Sequence, residues 1–200
     1  MLYLEGNLLY SVVNNQAGDR FVELARECGA GGGTVIPAKG TASNSILRML
    51  GLGDKSREVV LIMLDENIAG KIIEKACNDE KIQGISALVG RPEDCMENSW
   101  KMITVIVNSG YADDIMETAR KAGARGGTIT NARGTAPENQ EKFLGITIVP
   151  EKEMLTILVP SEKADAIIEA INAMPCLQQQ GIGIICVQDV KKFVNLGTAK

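Results

Sequence analysis

Two glycine-rich segments carry the residue types best suited to meeting a ligand with the main chain. Gly32-Gly33-Thr34 leads into Lys39-Gly40, and Gly126-Gly127-Thr128 leads into Arg133-Gly134 at the same spacing. Adjacent glycines let a backbone come close to a ligand and turn its amide N–H groups on a phosphate or carboxylate. The threonine hydroxyl can bond a sugar or base, and the cation that follows can neutralise an anion. The same glycines also suit a tight helix-to-strand turn, and a cation at a strand end also suits a solvated shoulder. Both readings stay open for each segment.

Other chemistry is sparse. The chain has no histidine, which removes Ser-His-Asp and Cys-His catalysis and most transition-metal sites. Its five cysteines, Cys28, Cys77, Cys95, Cys176 and Cys186, form no C-x-x-C pair and are odd in number, so neither a disulfide framework nor a zinc site is indicated. Cys28 and Cys77 sit in apolar-periodic segments and Cys186 in an apolar run; all three are expected as packed, reduced thiols. Asp113-Asp114, Glu66 and Glu162 read as helix N-terminal charges, favourable to the helix dipole. Gly51 to Ser56 resembles a phosphate loop only superficially, because the spacing to a lysine and a following helix is missing. No acid–base pair emerges, and the chain is expected not to be an enzyme.

The net charge of −4 and the 4% aromatic content disfavour nucleic acid and anionic lipid as partners. No apolar run approaches the roughly 20 residues of a membrane span, and Met1–Tyr10 lacks a basic leader. A cytoplasmic protein without membrane insertion is expected.

The elements that must position the glycine segments follow from an internal repeat. Arg26–Thr41 and Arg120–Thr135 match without gaps at nine of sixteen positions, at an offset of 94 residues. The match extends outward, from Val12-Val13-Asn14 against Ile106-Val107-Asn108 to Leu61 and Leu64 against Leu155 and Leu158, and drifts to Gly84-Ile85 against Gly181-Ile182. Residues 1–90 and 100–200 therefore read as two copies of one unit, with 91–99 a polar linker. Each copy begins with a strand (Leu8–Val13; Ile103–Val107). A helix follows, with Phe21, Leu24, Ala25 and Cys28 on one face, or Ile115, Met116 and Ala119, and ends at Gly29 or Gly123. A second strand (Thr34–Lys39; Thr128–Arg133), a long connection and a third strand (Val59–Leu64; Met154–Val159) come next. A second helix carries Ile68, Ile72, Ile73 and Ala76, or Ala164, Ile167, Ile168 and Ile171. The fourth strand is Ile85–Val89 or Ile182–Val187.

The fold class is α+β: two tandem ferredoxin-like β-α-β-β-α-β units, each an antiparallel sheet with two helices on one face. The strands are apolar on both faces, and two helices cover only one. The second faces are expected to pack face to face, within or between chains, and a homo-oligomer is expected. The connections 40–57 and 134–152 are long enough to be functional or disordered. Met49, Leu50, Phe143 and Leu144 suit either anchors for a partner or residues that fold each loop back on its own unit.

The β-α-β-β-α-β order, the G-G-T that opens strand two, the K/R-G turn that ends it, and the stretch Phe143–Lys152 together resemble the nitrogen regulatory protein PII family, in a divergent tandem-repeat form. That resemblance implies a signal-transduction protein of nitrogen metabolism that senses a small effector, with ATP or ADP the candidates. It implies target contact through loops 40–57 and 134–152. It places ligand contacts at Gly33, Thr34, Lys39, Gly40, Gly127, Thr128, Arg133 and Gly134. The family's second glycine-rich loop corresponds to Ala76–Ser86 and Ala173–Ile184; the first keeps Lys81 and Gly84, and the second keeps Gly181-x-Gly183 but no lysine. A structural module without ligand, or an uncharacterised enzyme on the same scaffold, are the alternatives.

Overall fold

The computed structural model describes residues 7–41, 55–90, 100–133, 142–143, 146–147, 151–178 and 183–197. The first half runs β1 (Asn7–Asn14), α1 (Gly18–Glu27), β2 (Thr34–Gly40), β3 (Lys55–Leu64), α2 (Glu66–Cys77) and β4 (Gly84–Val89). The second runs β5 (Trp100–Asn108), α3 (Ala112–Lys121), β6 (Thr128–Arg133), a small ribbon of β7 (Lys142–Phe143) and β8 (Ile146–Thr147), then β9 (Glu151–Pro160), α4 (Ser161–Asn172) and β10 (Gly183–Leu196). Among the described residues no helix is long and apolar enough to cross a membrane.

The strands do not form two sheets packed face to face. They join edge to edge into one closed antiparallel barrel in the order β1-β3-β2-β6-β9-β5-β10-β4. The physical reason is the edge strand. A twisted four-stranded sheet leaves two rows of unpaired N–H and C=O groups, and joining both edges to a second sheet satisfies them. The expectation that both sheet faces are buried holds along much of β1, β4, β5 and β9, where the second face lines the barrel interior, whereas β2 and β10 stay largely exposed or half-buried. That interior packs Tyr10, Val12, Val59, Ala87, Met102 and Val190. Outside it, α1 and α2 cover Leu9, Val13, Val60 and Ile62, and α3 and α4 cover Ile103, Val105, Leu155 and Ile157. Alternation along each strand sorts residues between these layers.

The two seams differ. At the first, β2 meets β6 through Lys39↔Ile129 and Gly40↔Thr128. Continuing that register sets Pro37 against Asn131, where proline has no N–H to offer a ladder. At the second seam β10 changes partner. Gly183–Val190 pairs with β5; after a bulge between Val190 and Lys192, the strand runs on against β4 as far as Leu196↔Gly84. The fourth strand therefore extends well past Val187, its expected end. Strand register equates Gly84 with Gly183 rather than Gly181, since Gly84 faces Val13 and Gly183 faces Val107.

The helices owe their ends to neighbours as well as to sequence. Gly29 and Gly123 take φ of 103° and 108°, as left-handed caps require. The Gly18 N–H at the start of α1 donates to Glu58 Oε2 at 2.7 Å. In the second half, Glu153 Oε2 accepts from the N–H groups of Gly110 and Ala112 at 3.0 and 3.1 Å. A carboxylate from the third strand thus caps the first helix in both halves, satisfying N–H groups that a helix leaves open.

Candidate functional site

The first seam is pinned by a threonine that follows β2. The Thr41 N–H and hydroxyl both donate to the Gly127 carbonyl at 3.0 and 2.9 Å. The Gly127 N–H is 2.9 Å from the same hydroxyl and donates to it. Arg120 Nη2, reaching from α3, donates to the Thr41 carbonyl at 2.7 Å. The glycine turn of the second half is therefore held by the end of the second strand of the first. Gly127 has no room for a side chain: a Cβ there would lie 2.8 Å from Leu155 Cδ1 and 3.0 Å from Met116 Sδ.

Beside this junction the barrel opens into a cavity of about 610 Å³. Gly40, Thr41, Gly127 and Thr128 form one side of it, and Gly84, Ile85, Phe193 and Asn195 come from the second seam. Its floor includes Tyr10, Thr156 and Leu158. Trp100 and Phe193 stack with centroids 4.2 Å apart and planes at 24°. Arg57 and Arg125 also line it, and no aspartate or glutamate does among the described residues, although the chain carries net charge −4. Guanidinium groups stay charged at any physiological pH, so the lining favours an anion.

Tyr10 is the unusual member. It is 4% exposed, and its hydroxyl has no hydrogen-bond partner among the described residues. Three strands separate β1 from β9 in either direction around the barrel, so Tyr10 reaches toward Thr156 from the opposite wall. Burial pushes its phenol up to about 12, the neighbouring Thr156 hydroxyl offsetting part of that rise. The approach of the two hydroxyls falls short of hydrogen-bond geometry. Among the described residues Tyr10 is therefore a neutral donor without a well-placed acceptor, an arrangement that costs about 1–3 kcal/mol.

The structure brings three of the sequence-expected site residues, Gly40, Gly127 and Thr128, to this cavity. Gly33 precedes β2 and Thr34 begins it, and both are exposed. A Cβ on Gly33 would lie 3.0 Å from Ile62 Cγ1 and 3.2 Å from Val22 Cγ2, so that glycine serves close helix–strand packing. Lys39 is exposed and alternates outward between Ala38 and Gly40. Arg133 ends β6 opposite Glu151. Gly134, Gly181 and most of both long connections lie outside the described residues. Cys28, Cys77 and Cys176 are free and partly buried, whereas Cys186 is exposed rather than packed, since alternation turns it to the opposite face of β10 from Ile185, which packs against the core of the second half. No cluster that could hold a metal occurs among the described residues. Sequence reasoning passed over Thr41, Tyr10, Arg57, Arg125, Trp100, Thr156 and Phe193. Thr41 alone carried a signal, as a matched position of the repeat.

Comparison with known proteins gives the following. The family model for nitrogen regulatory protein P-II matches residues 100–200. The chain is 27% identical over 105 residues to a nitrogen regulatory protein P-II of Rhizobium meliloti (strain 1021), covering 50% of this chain and 94% of that one. Among solved structures, CPII from Thiomonas intermedia K12, bound to ADP and bicarbonate, aligns at 18% identity and a TM-score of 0.35 over 49% of this chain and 88% of that one. A microcompartment protein of Desulfitobacterium hafniense DCB aligns at 12% identity and a TM-score of 0.30 over 94% and 96%.

Proposed function

Because the chain belongs to the nitrogen regulatory protein P-II family, we propose that it is a regulator that binds a small anionic effector in the seam cavity and passes that state to a target protein. Members of this family are signalling proteins rather than enzymes. The observation that carries the reading is the lining itself: both halves contribute to it, two arginines enter it, and no described carboxylate does.

On this reading the chain is a tandem of two ferredoxin-like units, residues 1–90 and 100–200 joined by 91–99. The equivalent strand orders β4-β1-β3-β2 and β10-β5-β9-β6 support that division, and the end of β10 is exchanged onto the first unit. Gly40, Gly127 and Thr128 meet the effector. Lys39 and Arg133 flank the seam and raise the local concentration of anions. Gly33, Thr34 and Gly134 shape the two turns. ATP and ADP are the candidate effectors, the connections 40–57 and 134–152 are the contacts to a target in nitrogen metabolism, and the working form is a cytoplasmic homo-oligomer.

Thermal unfolding with ATP, ADP, AMP and 2-oxoglutarate tests the reading. An effector present at about 100 times its Kd adds roughly 2.7 kcal/mol of stability. At least one of the four is expected to raise the midpoint at millimolar concentration, and Arg57→Gln to reduce that rise. No shift with any of them contradicts the sensing of a nucleotide or of 2-oxoglutarate, and ATP and ADP then cease to be candidates.

A further inference from the structure

The cavity lining joins apolar and hydroxyl-bearing residues, and the duplication shows how it became so. Strand register equates the pair Tyr10↔Leu61 of the first half with Thr104↔Thr156 of the second. It likewise equates Thr34↔Leu61 with Thr128↔Thr156. The inward positions of the first half carry an aromatic phenol and leucine where the second carries threonines. Thr128 and Thr156 are 6% and 4% exposed, and both line the cavity. Val12, Ile85 and Leu158 with the Trp100–Phe193 stack thus give the lining a flat apolar part, and Thr128 and Thr156 give it hydroxyls. The buried Tyr10 hydroxyl in the same lining has no hydrogen-bond partner among the described residues, and the two arginines are the charged members of the described lining.

Such a pocket selects three features at once. The arginines take a carboxylate, bidentate where geometry allows. The apolar part takes a flat ring. The buried phenol requires an acceptor oxygen, and a ligand lacking one leaves the donor unpaired. Where side chains do not fill it, the interior of an eight-stranded barrel holds one small ligand, and here the packed core leaves the cavity open beside it. We propose that the cavity binds a small aromatic carboxylate that carries a second oxygen, the carboxylate held by Arg57 and Arg125 and the second oxygen accepting from Tyr10. This rests on the effector-sensing reading and specifies the ligand of the same site.

The chain has one tryptophan, so its single indole N–H resonance reports on the cavity without interference. Titrating the protein with 4-hydroxybenzoate is expected to shift that resonance saturably, and benzoate to bind roughly tenfold more weakly for want of the second oxygen. Tyr10→Phe is expected to weaken 4-hydroxybenzoate roughly tenfold while leaving benzoate unchanged. Without ligand, the same substitution is expected to raise the unfolding midpoint by about 2–4 °C, since it removes an unpaired buried hydroxyl. Arg57→Gln supplies a second variant and is expected to weaken 4-hydroxybenzoate and benzoate alike, because both carry the carboxylate. The proposal is overturned if Tyr10→Phe binds 4-hydroxybenzoate as the parent does, or lowers the ligand-free midpoint. It is also overturned, with effector sensing left standing, if ATP or ADP moves the indole resonance and 4-hydroxybenzoate does not. If none of these compounds moves it, both readings fall.

Discussion

Deleting residues 191–200 is expected to abolish the single cooperative unfolding transition of the chain. The deletion removes the whole ladder from Lys192↔Leu88 to Leu196↔Gly84, and with it the second closure of the barrel. Leu196 is 3% exposed and packs in the core beneath α1 and α2, with Val194 against the same core. Phe193 packs inside the barrel. Full burial of an apolar side chain of this size stabilises by about 1.5–3 kcal/mol; with Leu196 buried and Phe193 and Val194 half-buried, the loss is roughly 3–6 kcal/mol before the bared β4 edge is counted. A domain's net stability is only about 5–15 kcal/mol. Circular dichroism and urea unfolding would show either no baseline for a native state or a broad, non-cooperative change. A shortened chain that unfolds as sharply as the parent would mean that the second seam contributes little.

Gly84→Ala is expected to lower stability by about 3–5 kcal/mol, near the top of the range for single substitutions. A Cβ at this position would sit 1.9 Å from the Val12 carbonyl oxygen and 2.9 Å from its carbon. Both are backbone atoms in a paired strand, so no rotamer change relieves the clash, and β1 and β4 must part. Gly183, its equivalent by register, provides the control. There the nearest atoms are side-chain carbons of Leu177 and Val107 at 2.7 and 2.8 Å, with the Ile106 carbonyl oxygen at 2.9 Å. Gly183→Ala is expected to cost about 1–2 kcal/mol, within the common range. Urea midpoints for the two variants decide the comparison. Equal losses would mean that the close approach of Val12 is not what requires glycine at 84.

Particular residues show where sequence reading reached the fold and where it stopped. Phe21, Ile72, Ile115 and Ile167 recur at helical spacing and all are fully buried under the sheet. Strand β6 begins and ends at Thr128 and Arg133 as alternation predicts. Strand β3 starts at Lys55 rather than Val59 because Arg57 and Glu58, which look like loop residues, serve the cavity and the α1 cap. Strand β10 hides its second half behind Lys191-Lys192, a charged pair that reads as an end but spans the bulge between two partner strands. Closure itself left no pattern, since both seams are made by main-chain groups that every residue has.

The candidate site was legible in part for the same reason. Gly40, Gly127 and Thr128 carry a glycine-turn signal and reach the cavity. Tyr10 carries none, because an inward aromatic in a strand is ordinary core until the barrel shows what it faces. Lys39 has the right chemistry at the wrong parity: it adjoins the inward-facing Gly40, and a step of one residue along a strand is a change of face.

The central claim is that an effector binds where the two halves join, and hydrogen exchange read by mass spectrometry with and without ATP or ADP tests it most directly. Slower exchange is predicted in peptides spanning residues 38–41, 84–87 and 126–129, with little change along α2 and α4. Protection confined to those helices, or none at a nucleotide concentration that shifts the unfolding midpoint, would place the effector elsewhere and contradict the account.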